Sequence, residues 1–246
     1  MEISSEHIIF TNLITFIELQ KKSLIKELKY KPAQCLSATT RERLFCHLKD
    51  FGWEIGKLSK TRFEKVIIIK KEHSIIPEIW VCSSYTKYRE AFSKYLLEYF
   101  SYQGRIPQNY HIDHSLPRLR FGKLYPDYFI RLFLIDREVN CSYGAVYEKG
   151  FYKHESNGKP YGGFHTNLIT ILKVLGYSIP SKATNVIERK NWALTTSRKL
   201  ENDGLGDWML HYPGLLTLIY DGYKNLNIDK TIYSEYFTVK IYGKYD

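Results

Sequence analysis

The sequence predicts an α+β fold, and three observations carry that expectation. Apolar residues recur at helical spacing over residues 8–28, two short apolar runs at 66–69 and 79–82 flank a polar turn, and an apolar run at 132–135 leads straight into a polar helix start around Asn140. The chain has 246 residues and a mass of 29.1 kDa, enough to bury a substantial core in one large domain or two small ones.

In chain order, Ile9, Phe10, Leu13, Ile14, Phe16, Ile17, Leu24, Ile25 and Leu28 mark one face of an amphipathic helix, with Lys21, Lys22 and Lys26 at other positions. Thr39 with Glu42 has the Ser/Thr-x-x-Glu spacing of a capping box and predicts a second helix to about Asp50. The runs at 66–69 and 79–82 read as a hairpin. Two helices and a hairpin fit a winged-helix-like DNA reader or a plain α+β scaffold, and the second is the commoner arrangement. A further helix is expected over residues 85–102, where Tyr88, Phe92, Tyr95, Leu96, Tyr99 and Phe100 form an aromatic stripe of the kind that usually enters a core. Gly104 and Pro107 break it, so the expected regions are 1–104, 105–155 and 156–246. After a polar loop at 153–163 a helix is expected over about 166–175, then mixed segments and a tyrosine-rich tail at 233–245 with strand-like alternation.

A net charge of +10 and a pI near 9.2 favour a polyanionic partner, although a solvated lysine-rich surface has the same signature. Acidic Glu2 and Glu6, with no basic segment before the apolar positions, argue against a secretory signal, and no apolar run has the ~20 residues that span a bilayer. Cys35, Cys46, Cys82 and Cys141 form no Cys-x-x-Cys pair, which argues against a zinc knuckle or a disulfide scaffold. The expectation is a cytoplasmic protein with reduced thiols and no membrane partner.

The densest chemistry lies between Tyr110 and Tyr152. His111-Ile112-Asp113-His114-Ser115-Leu116-Pro117 puts a carboxylate beside an imidazole, and Val139-Asn140-Cys141-Ser142-Tyr143-Gly144 returns an amide near a helix start. Together these groups suit one hard metal ion and one activated water. Adjacent strand residues point to opposite faces, so Asp113 and His114 serve one site only if the chain bends there, and Pro117 with the polar loop after it fits such a bend.

These two segments resemble the HNH, or ββα-metal, nucleases, over about one-sixth of the chain. Ser115 stands where that family usually has an aliphatic residue. The resemblance implies a central ββα-metal nuclease element between a helical-plus-hairpin N-terminal region and a mixed α+β C-terminal region. It implies Asp113 and Asn140 as ligands of Mg2+ or Mn2+ and His114 as the general base. Many members carry another Asn about nine residues before the metal-binding one, and that place is held by Arg131. Arg118, Arg120, Arg131 and Arg137 are candidate phosphate contacts, since guanidinium groups bind phosphate bidentately. His111 and Glu148 are possible additional site residues, although a structural imidazole and a helix-end ion pair are the plainer readings of each. Gly144 leaves no second ligand one turn beyond Asn140.

The function implied is metal-dependent hydrolysis of DNA phosphodiester bonds, as in a bacterial restriction or phage-defence nuclease, with double-stranded DNA as partner and a homodimer or inhibitory protein as further partners. The alternatives are a nuclease toxin of bacterial competition and a non-catalytic basic nucleic-acid-binding protein. A PD-(D/E)xK nuclease would need Pro126-Asp127 to work with Glu188-Arg189-Lys190, which is distant in sequence.

Overall fold

The computed structural model describes residues 13–30, 35–146, 163–181 and 184–224. The chain forms two compact units, one of residues 1–140 with 157–177 and one of residues 141–156 with 178–246. This division lies elsewhere than the breaks expected at 104 and 155. The helix before Gly104 and Pro107 ends at Phe100 with a left-handed Ser101 as its cap, and no unit ends there, because the strands on either side meet in one sheet.

In the first unit, helix α1 (Leu13–Tyr30) precedes β1 (Leu36–Thr40), α2 (Arg41–Phe51), β2 (Glu54–Gly56), β3 (Val66–Lys70), β4 (Glu78–Cys82) and α3 (Tyr88–Phe100). Then come β5 (Tyr110–His114), α4 (Arg118–Leu124), β6 (Tyr128–Asp136), α5 (Arg137–Val146, of which Cys141 onward is assigned to the second unit), β7 (Phe164–His165) and α6 (Leu168–Leu175). The sheet order is β2-β3-β4-β6-β1-β7, with β5 on β6 as well, and these pairings are antiparallel. Strand β6 is the spine. Its first half lies between β4 and β1, with Ile130 opposite both Val81 and Ala38, and its second half pairs with β5.

Period-two alternation sorts the strand residues onto two faces. Val66, Ile68, Ile79, Val81, Leu132 and Leu134 pack against Leu13 and Phe16 of α1 and against Phe92, Tyr95, Leu96 and Phe100 of α3. The aromatic stripe of α3 is therefore core, with Phe16 meeting Phe100 edge-on at 4.9 Å between ring centroids. Ile67, Ile69, Trp80, Cys82 and Phe129 face the other way, toward Leu44 of α2 and Trp53.

Two features of α1 fix it on the sheet. Strand β4 begins behind Pro77, which has no N–H to offer, and the Gln20 side chain serves the β6 backbone instead. Its Nε2 donates to the Leu134 carbonyl and its Oε1 accepts from the Leu134 N–H, each at 2.9 Å. One turn from the helix end, Glu27 enters a buried group of four charges with Lys71, Glu78 and Arg131. Arg131 grips Glu27 through two bonds of 2.9 Å, and Lys71 lies 3.1 Å from Glu27 and 2.6 Å from Glu78. Trp80 Nε1 donates to Glu78 at 2.7 Å. Burial alone would raise the Glu27 pKa, but the charges of Arg131 and Lys71 outweigh it and hold that carboxyl at about 2.

In the second unit, α7 (Val186–Asn202) opens with a capping box between Asn185 and Glu188 and packs on α8 (Trp208–Lys224). Ser142 Oγ accepts from the Ile179 N–H, and Trp192 Nε1 donates to the Ser178 carbonyl.

The hairpin and the helices expected around 20, 45, 93 and 171 are present. The cap of α2 is Thr40, whose side chain accepts from the Arg43 N–H, while Thr39 belongs to β1. The segment after Pro117, expected as a polar loop, contains helix α4, which Phe121 anchors among Tyr125, Tyr128 and Phe164. Among the described residues, 184–224 hold two helices where mixed segments were expected. The tail at 233–245, the loop at 153–162 and Glu148 lie outside the described residues.

Candidate functional site

Strand β5, strand β6 and helix α5 follow one another in the order β-β-α. Tyr110 stands opposite Asp136, His111 opposite Ile135, Asp113 opposite Phe133 and His114 opposite Leu132. Helix α5 begins where β6 ends: the Asp136 carboxylate accepts from the N–H groups of Glu138 and Val139 at the helix start. That turn brings Asn140 back over β5, with its Nδ2 3.2 Å from His111 Nδ1.

His111 and Asp113, two residues apart, share one side of β5. Helix α6 is fastened to the end of that strand. Asn167 caps it by accepting from the Thr170 N–H, and Thr170 Oγ1 donates to the Ser115 carbonyl at 2.9 Å. Lys173, three residues on and so on the same helix face, then reaches the Asp113 carboxylate at 2.5 Å, with only 5% of its side chain exposed. The polar cluster on this side of β5 is thus two pairs, His111 with Asn140 and Asp113 with Lys173. Its polar valences are incomplete, because Asn140 Oδ1 is buried without a hydrogen-bond partner. That orphan oxygen and the Asp113 carboxylate are oxygen donors of the hard kind that Mg2+ or Mn2+ prefers. Among the described residues there is no group of three or more His, Cys, Asp or Glu side chains suited to a metal. The fit therefore rests on one carboxylate, one amide and one imidazole.

His114 is separated from this cluster by the alternation of the strand. Its ring is buried edge-on against Tyr88, 4.4 Å between centroids, and its Nε2 has no hydrogen-bond partner. Burial, reinforced by the charges of Arg118, Arg89 and Lys173, lowers its pKa to about 3. The bend expected at Pro117 comes after His114 has turned away, so the imidazole beside Asp113 and Asn140 is His111. This corrects the expectation for His114 as a base at the metal.

The four arginines fare differently. Arg131 is buried and held by Glu27 and Glu78, with its guanidinium 4.6 Å from the Phe133 ring, so it is a structural cation and not a phosphate contact. Arg118 lies over the Tyr88 ring at 5.4 Å, and Arg89 over the same ring at 5.0 Å. Arg137 is exposed at the first position of α5. Arg120 belongs to α4, but its side chain lies outside what the structure describes.

Lys173 was not anticipated from the sequence, although a signal exists. It is the one charged residue in the mostly apolar stretch LITILKVL, and a buried ammonium needs an acid partner. The PD-(D/E)xK alternative loses its geometry, because Glu188, Arg189 and Lys190 lie in helix α7 and not on a strand. Among the described residues no helix is long and apolar enough to cross a membrane. No protein-family model, curated protein or solved structure matches the chain.

Proposed function

We propose that the chain is a metal-dependent endonuclease that hydrolyses nucleic-acid phosphodiester bonds, with double-stranded DNA as its substrate and Mg2+ or Mn2+ as its cofactor. The observation that carries this reading is the contact of Asn140 with His111 on the side of β5 that also carries Asp113, with a buried amide oxygen left unbonded. Asp113 and Asn140 Oδ1 would hold the ion, which when bound polarises the scissile phosphate and lowers the pKa of a water.

The Asn140 amide sets the task of His111. As the contact stands, Nδ1 accepts from the amide, so a neutral ring carries its proton on Nε2 and donates to a phosphate oxygen. The net charge of +10 and the exposed Arg137 and Arg89 supply attraction for the DNA backbone.

Plasmid nicking with Mg2+ and Mn2+ tests the reading. Asp113→Asn and His111→Ala are expected to lose on the order of 10²–10⁴ in rate. Parent protein that leaves the plasmid intact with either ion would end it. In that event the second reading, a basic nucleic-acid-binding protein without hydrolytic activity, takes its place. That reading is favoured by one observation, the ammonium of Lys173 already neutralising Asp113.

A further inference from the structure

The side of β5 away from Asp113 carries polar chemistry of its own. His114 sets its ring edge-on against Tyr88, the first residue of α3, with 4.4 Å between centroids. Helical side chains lean back toward the helix N-terminus, so the Tyr88 ring lies at the entrance of α3. The Arg118 guanidinium lies 5.4 Å from the centre of that ring and the Arg89 guanidinium 5.0 Å. An imidazole and two guanidinium groups are thus gathered on one aromatic side chain.

The charges there are uncompensated. Among the described residues neither guanidinium pairs with a carboxylate, and Glu90, the acid in the first turn of α3, is exposed. Lys87, at the N-cap, makes no side-chain bond to the first-turn N–H groups. His114 is 8% exposed, its Nε2 has no hydrogen-bond partner, and the charges that bear on its ring are those of Arg118, Arg89 and Lys173. A buried polar atom is normally bonded, and like charges drawn to one place call for an anion. A phosphate group suits all of these groups together. Its oxygens can accept from the Nε2–H of a neutral imidazole and from guanidinium groups, and a helix N-terminus favours its charge.

We propose that His114, Arg118 and Arg89 form a phosphate-binding site at the entrance of α3, on the opposite side of β5 from Asp113. It needs no metal, so it stands or falls apart from the metal-dependent reading.

The test is calorimetric titration of the full chain with sodium phosphate in EDTA at neutral pH and constant ionic strength, with sodium chloride as control. The parent is expected to bind phosphate saturably at millimolar concentration. Arg118→Gln and Arg89→Gln should each weaken binding by about tenfold or more, the effect of one charge-assisted bond. In proton–carbon NMR spectra the His114 ring signals should shift along the same saturation curve, which a ring that only packs against Tyr88 would not do. A labelled duplex identifies the source of the phosphate in either of two supporting outcomes. Displacement of the duplex by free phosphate means that the site takes a backbone phosphate, and undisturbed duplex binding means that it takes a small phosphate compound. Parent protein without saturable phosphate binding overturns the inference. Binding that leaves the His114 signals unmoved, or that both arginine variants retain at parent strength, overturns it equally. Arg89 is exposed, so its variant keeps the test decisive should Arg118→Gln fail to fold.

Discussion

Asp113 and His114 are consecutive residues of β5 that face opposite sides of the sheet. Asp113 stands opposite Phe133 with Lys173 on its carboxylate, whereas His114 stands opposite Leu132 with its ring against Tyr88. One alternation of the strand thus separates a polar cluster from an apolar contact, and the two residues are expected to answer to different measurements.

For His114 the measurement is stability against pH. The folded ring titrates at about 3, against 6.5 for a free imidazole. Between those values the unfolded chain binds the extra proton, so stability is intact above pH 6.5 and falls as the solution is acidified toward 3. The slope is about 1.4 kcal/mol per pH unit. Urea unfolding of the parent and of His114→Phe at about pH 7, 6 and 5 should show a slope difference of that size. Parallel slopes would mean that the ring is not held neutral in the fold.

Arg131 should behave as a core residue and not as a DNA contact. Arg131→Met leaves Glu27 and Glu78 with Lys71 as their one remaining cation in the group, and loss of a buried ion-pair partner typically costs about 3–5 kcal/mol. The salt dependence of duplex binding by the folded variant should match that of the parent. Arg118→Ala, by contrast, is expected to flatten the slope of log K against log salt by about 0.9. A flattened slope for Arg131→Met would place that guanidinium on the nucleic acid after all.

Gln20 closes a gap in the sheet. Gln20→Leu fills the same space but leaves the Leu134 N–H and carbonyl without their partners, which should cost about 1–3 kcal/mol in chemical denaturation. A variant as stable as the parent would show that β6 satisfies these groups by other means.

What was readable from the sequence depends on interactions a few residues apart. The helical spacing in α1 and α3 and the apolar runs of β3 and β4 lie within single elements, so their hydrophobic periods reveal both type and buried face. The approach of Asn140 to His111 was also within reach of the sequence, because a strand, a return strand and a helix start follow one another within one short segment. The cap of α2 slipped by one residue, since Thr39 and Thr40 offer the same hydroxyl and the pairing of β1 with β6 decides which of them is strand.

Other features needed tertiary structure, because each depends on a partner far along the chain. The spacing of polar and apolar residues cannot say that Arg131 will meet Glu27 over 100 positions earlier, and an arginine near a candidate phosphate site looks the same whether it faces solvent or two buried carboxylates. Nor can it say that Lys173 will sit on Asp113. That depends on β1 pairing with β7, on α6 being carried to the end of β5 and on Thr170 bonding Ser115. Local pattern determined which side chains β5 offers to each face. Long-range packing decided which face holds the polar cluster, and so which of two nearby histidines can take part in its chemistry.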